Sequence, residues 1–161
     1  MKKIVLIRHG KSSWKDPVND IDRPLKKRGK LDAAMVAEEF KKFDFIPDLV
    51  VSSPAKRAVD ICRIFIKKMD ISTDILQINP IIYDFSGGKT SDFISSLDDS
   101  CQNVMLFGHN HAFTALANLY GNKIIENLPT SGLVVISFNI ESWKDVEVGI
   151  TELIIFPKQL R

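Results

Sequence analysis

Cysteine is scarce in this chain: Cys62 and Cys101 are its only two, and they lie far apart with no CxxC spacing. That excludes a disulfide-stapled scaffold and a redox pair, and leaves two ordinary reduced residues of the interior. Long apolar runs are missing too. Nothing approaches the roughly 18 consecutive apolar residues that span a bilayer, and "MKKIVLIRHG" reaches a charged pair too soon to serve as a secretory core. The expectation is a cytoplasmic protein with no membrane partner. Charge of one sign is also lacking, since 22 basic against 20 acidic residues give a net charge of +2. Such a balance speaks against nonspecific binding to nucleic acid, so any anionic ligand must be gripped by local geometry. Histidine occurs only three times.

What is present has the profile of one globular domain over residues 1–161, with 45% hydrophobic and 26% charged residues and no internal repeat. Residues 4–7 form an unbroken apolar run, as expected of a strand covered on both faces. From Lys30 to Phe43 the spacing of Ala33, Val36, Ala37 and Phe40 predicts an amphipathic helix. "DLVVSSP" reads as a second strand, followed by a helix with Ser53 as N-cap, Pro54 at the first position, and Ala58, Ile61, Cys62 and Phe65 facing inward. Residues 75–82 predict a third strand and "TSDFISSL" a short helix. "NVMLF", residues 103–107, is a fourth strand, and the helix after it turns Phe113, Leu116, Ala117 and Tyr120 inward and ends at Gly121. "GLVVISFNI" and "VGITELIIF" close the chain as two strands with a turn around Glu141 to Asp145. This order implies an α/β fold with a mostly parallel sheet between helices, whose ligands bind beyond the carboxyl ends of the strands.

Three predicted strands end in polar residues: Arg8 and His9, Ser52 to Arg57, and Gly108 to Asn110. In a parallel sheet these ends converge. Singly, each histidine or arginine reads as structural; together they suit a phosphoryl group. Two guanidiniums supply charge-assisted donors, one neutral imidazole attacks, and another hydrogen-bonds an equatorial oxygen. His9 must be neutral to offer a lone pair, which neighbouring cations favour.

The ordered segments "LIRHGKSSW", "DRPLKKRG", "PDLVVSSPAKRAVDI" and "LFGHN" resemble the histidine phosphatase superfamily, also called phosphoglycerate mutase-like. "KSSW", the "RPL..RG" element and the short length are most similar to its SixA-type phosphohistidine phosphatases. The resemblance implies a three-layer α/β/α sandwich without a large cap insertion. It also implies transient phosphorylation of His9, with Arg8, Arg57 and His109 completing the phosphate pocket and Arg23 contributing. Arg23 reads equally as a loop salt bridge to Asp20 or Asp22.

The chain departs from its relatives in the proton donor. Where one branch places aspartate after the second histidine, this chain has Asn110, which cannot act as an acid; Asp84 in "IIYDFS" is the nearest carboxylate and a possible acid, or else a solvated loop residue. A missing acid favours phosphohistidine, because a phosphoramidate can carry a proton on its leaving nitrogen whereas an alkyl phosphate must expel an alkoxide. The expected activity is hydrolysis of phosphohistidine on a protein. A phosphatase of small phosphorylated metabolites and a noncatalytic phosphate-binding module are the alternatives. No cofactor is expected. "SGGKT" lacks the first glycine of a P-loop, with Tyr83 in its place. A three-histidine metal site from His9, His109 and His111 would set a divalent cation beside Arg8, which repels it. His111 reads better as pocket rim or structure.

Overall fold

The computed structural model describes residues 1–161. Six strands, β1 (Lys2–Arg8), β2 (Leu49–Ser52), β3 (Leu76–Ile78), β4 (Asn103–Gly108), β5 (Leu133–Phe138) and β6 (Ile150–Ile155), form one sheet in the order β3-β2-β4-β1-β5-β6. Only β5 runs against the others, pairing antiparallel with both β1 and β6. Four helices cover it: α1 (Lys27–Phe40), α2 (Lys56–Lys68), α3 (Gly88–Ser95) and α4 (Ala112–Tyr120).

The alternation along β1 sorts the layers. Val5 and Ile7 join Ala33, Val36, Ala37 and Phe40 of α1 and Ile61, Cys62 and Phe65 of α2 in one core. Ile4 and Leu6 join Ile94 of α3 and Phe113, Leu116, Ala117 and Tyr120 of α4 in the other. Both faces of β1 are thus covered, which is why its middle reads as unbroken apolar sequence rather than as alternation. The arrangement is the expected α/β/α sandwich, with Leu97 buried just beyond α3 and Phe93 only partly so.

Local details differ from the sequence reading. The first long helix starts at Lys27 and gives way at Lys41 to a 3-10 turn that ends in left-handed Asp44. The second starts at Lys56, after Ala55 rather than Ser53 and Pro54; Ser53 remains with the strand end, its amide bonded to the Phe107 carbonyl. The third strand keeps only three residues, because Asn79 caps a 3-10 turn at Pro80–Ile82. Gly121 follows α4 in an extended conformation rather than a left-handed one.

Register aligns the strand ends that matter. Arg8 lies opposite Gly108, and Ser52 opposite Phe107. The chain after β1 then runs close beneath the first turn of α1. A β-carbon on Gly29 would lie 2.5 Å from the Lys11 carbonyl oxygen and 3.0 Å from the Lys11 nitrogen. Those are backbone atoms, which cannot rotate away. In an open helix Gly→Ala gains up to about 1 kcal/mol, but overpacking costs about 1–3 kcal/mol, and here the clash should win. Gly29→Ala is expected to lower stability in chemical denaturation; a stabilised variant would show that the Lys11 segment yields freely.

Candidate active site

The polar residues at the carboxyl ends of β1, β2 and β4 meet in a cavity of about 420 Å³ lined by Arg8, His9, Asp20, Arg23 and Arg57, among others. His9 follows β1, its amide bonded to the Gly108 carbonyl at 2.9 Å. Its Nδ1 is 2.7 Å from the Gly10 carbonyl oxygen. A carbonyl only accepts, so Nδ1 carries the proton and Nε2 keeps its lone pair. Burial, together with Arg57, Arg8 and Arg23, holds the imidazole pKa down at about 4, against the smaller opposing effect of the Gly10 hydrogen bond. His9 is therefore neutral near pH 7.

His109 lies behind this group, fully buried, with its ring centroid 5.3 Å from that of His9. Its Nε2 is 2.7 Å from the Ser53 hydroxyl and its Nδ1 3.5 Å from Arg57 Nη2. Burial, His9 and Arg57 push its pKa down to about 3. Ser53, read from sequence as a helix cap, is instead the buried partner of this imidazole.

Arg57 is 1% exposed. Its Nη1 donates to the Asp20 backbone carbonyl at 2.6 Å and its Nη2 to Asp20 Oδ2 at 2.9 Å. Asp20 also accepts from Tyr83 Oη at 2.6 Å and pairs through Oδ1 with Arg23 at 3.1 Å. Burial alone would raise the Asp20 pKa, but the hydrogen bonds from Tyr83, Arg57 and Arg23 hold it down at about 2. Arg23 is further fixed by the Ser12 hydroxyl at 2.7 Å. Of its two candidate partners the structure selects Asp20, and the salt bridge does not take Arg23 away from the cavity, which it lines. Arg8 donates to the Leu128 carbonyl at 2.9 Å. The Nε atoms of Arg8 and Arg57 are buried without a partner; both guanidiniums line the cavity, and charged donors of this kind suit an oxyanion.

The structure does not place Asp84 as an acid. It is 5% exposed and accepts from the Thr90 amide and hydroxyl, both at 2.9 Å, and from Ser86 at 3.3 Å. Burial alone would raise its pKa, but the Thr90 and neighbouring hydrogen bonds lower it. It is thus neither solvated nor poised to donate; it ties down the start of α3. Asn110 does line the cavity, yet its Oδ1 accepts from the Thr114 amide and hydroxyl and its Nδ2 donates to Asn127. His111 is exposed at the start of α4 and is not among the lining residues. The histidines do not converge with other ligands into a metal-binding group of three.

Sequence reasoning missed Asp20 as an organising group and Tyr83 altogether. The only local signal was the three-residue spacing of Asp20 and Arg23; Tyr83 comes from 63 residues away.

A family model described as histidine phosphatase superfamily (branch 1) matches residues 4–78, the span that carries Arg8, His9, Arg23 and Arg57. Over residues 4–78 the chain is similar to the histidine phosphatase superfamily. An uncharacterized chloroplastic protein of Arabidopsis thaliana is 28% identical over 89% of this chain and 70% of its own length. The fold matches that of the protein histidine phosphatase SixA in complex with tungstate, with a TM-score of 0.84 at 18% identity over 99% of both chains. It also matches a mycobacterial glucosyl-3-phosphoglycerate phosphatase, with a TM-score of 0.67 at 14% identity, covering 95% of this chain and 98% of the other. That similarity supports a phosphatase or mutase activity.

The two buried imidazoles give a direct test. Because their folded pKa values lie below the ordinary 6.5, protonation below that pH favours the unfolded chain, and they should erode stability as pH falls from 6.5 toward 4. In an NMR titration of the folded protein the His9 and His109 ring resonances should be unmoved at about pH 6. A midpoint near 6.5 for either would contradict this electrostatic account.

Proposed function

We propose that this chain is a single-domain phosphatase, without a cap, that hydrolyses phosphohistidine on a protein through a phosphorylated His9. The observation that carries this reading is the state of the cavity's one lining carboxylate: Asp20 is held ionised by Arg57, Arg23 and Tyr83. No acid is therefore poised to protonate an alkoxide. A phosphoramidate can already carry the leaving proton on its imidazole nitrogen, so the absence matters little to it.

In the first step His9 Nε2 donates its lone pair to phosphorus as the bond to the substrate's imidazole nitrogen breaks; the bonding pair and the proton leave with that imidazole. Arg8, Arg57 and Arg23 carry the charge on the equatorial oxygens. His109 supports this clamp from behind, holding Arg57 Nη2 at 3.5 Å through Nδ1 and the Ser53 hydroxyl at 2.7 Å through Nε2. In the second step water attacks phosphorus, the bond to His9 Nε2 breaks, and inorganic phosphate leaves. Nothing in this sequence calls for a metal or an organic cofactor.

Phosphate release by the wild type, with EDTA present, should favour a histidine-phosphorylated protein over phosphate monoesters. His9→Ala should lower turnover by more than about a thousandfold while retaining the fold. A preference for monoesters would overturn the substrate class in favour of small metabolites, and full activity in His9→Ala would overturn the nucleophile. Tight phosphate binding without turnover on either class would leave a binding module instead.

A further inference from the structure

The cavity carries more cationic and aromatic surface than one phosphoryl group can use. Arg8, Arg23 and Arg57 face the position of the phosphate, and Asp20 offsets part of their charge. Lys11 and Lys26 line the same cavity, are exposed, and take part in no ion pair. Trp14, on the same side, is 75% exposed although its ring lies 3.5 Å from the Arg23 guanidinium. One face of the indole covers the arginine while the rest stands in solvent. Across the cavity Phe85 is 46% exposed, its ring 5.0 Å from that of His109.

An indole that lines the cavity yet stays 75% exposed keeps most of its surface in solvent. A docked surface would bury it, and exposed aromatic residues beside unpaired cations are the groups that anchor protein contacts. We infer that the Lys11–Trp14–Lys26 rim is a docking surface for the acidic face of the protein that carries the phosphohistidine. Lys11 and Lys26 would pair with carboxylates flanking the modified histidine, and Trp14 and Phe85 would pack on its neighbours. This rests on the phosphohistidine reading for the identity of the partner, but the surface can be tested without turnover.

Two peptides of equal length, one with glutamates and one with glutamines around a central histidine, supply the test. Trp143 is fully buried, so a change in tryptophan emission on peptide binding reports on Trp14. The unphosphorylated glutamate peptide should bind more tightly than the glutamine peptide, by about fivefold to tenfold at low salt for two exposed ion pairs, and the difference should shrink as ionic strength rises. Lys11→Glu/Lys26→Glu should abolish it. With both peptides phosphorylated on histidine, the double variant should raise KM for the glutamate peptide several-fold more than KM for free phosphohistidine.

Equal binding of the two peptides by the wild type would overturn the docking surface. So would an equal loss on free phosphohistidine, which would mean that the lysines act on the phosphoryl group itself. If a soluble bisphosphate perturbs Trp14 and the acidic peptide does not, the rim belongs to a small polyanion and the inference fails. Absence of phosphohistidine turnover alongside selective acidic-peptide binding would instead overturn the activity and leave the docking surface standing.

Discussion

The geometry of the site depends on one carboxylate that performs no chemistry. Asp20 takes both terminal nitrogens of Arg57, one through its backbone carbonyl and one through its side chain, and uses its remaining oxygen for Arg23. Arg57 comes from the first turn of α2 and Arg23 from the loop before α1, so the anion joins two elements that share no hydrogen bond through these side chains. A buried guanidinium without such a partner would be costly to hold. Tyr83 donates a further hydrogen bond and reaches in from beyond β3. The price is an acidic group spent as a brace and held ionised by its cationic and phenolic neighbours.

The same cations that would grip a phosphoryl group also keep His9 neutral. Burial and three nearby guanidiniums depress its pKa, while the Gly10 carbonyl fixes which nitrogen is protonated. The proposed nucleophile and its clamp are therefore one electrostatic arrangement. It stands on strand ends aligned by the β1–β4 and β2–β4 pairings, and rigid elements of this kind hold reacting groups better than mobile loops do. Ser53 extends the frame by fixing His109 from behind.

Much of this was legible in the sequence because it is periodic or contiguous. The stripes Ala33, Val36, Ala37, Phe40 and Ala58, Ile61, Cys62, Phe65 are buried as their spacing predicts. Arg8, His9, Arg57 and His109 were marked as chemically unusual endings of apolar strands and do converge. What escaped was tertiary. Ser53 before Pro54 has the local form of a helix cap, yet its hydroxyl meets an imidazole 56 positions later. Asp84 reads as a free loop acid because the residues that occupy it, Ser86 and Thr90, carry no signal of that pairing in isolation. Asp20 looks like one member of an ordinary loop ion pair until the fold brings Arg57 and Tyr83 to it.

The proposed reaction turns on a covalent step at His9, and that step can be trapped. Rapid quenching of the protein during turnover of a labelled phosphoramidate should capture phosphate bound stably to base and labile to acid, located by peptide mapping at residue 9 and formed fast enough to account for product release. Turnover with no phosphoenzyme at any time, or label on a residue other than His9, would contradict it.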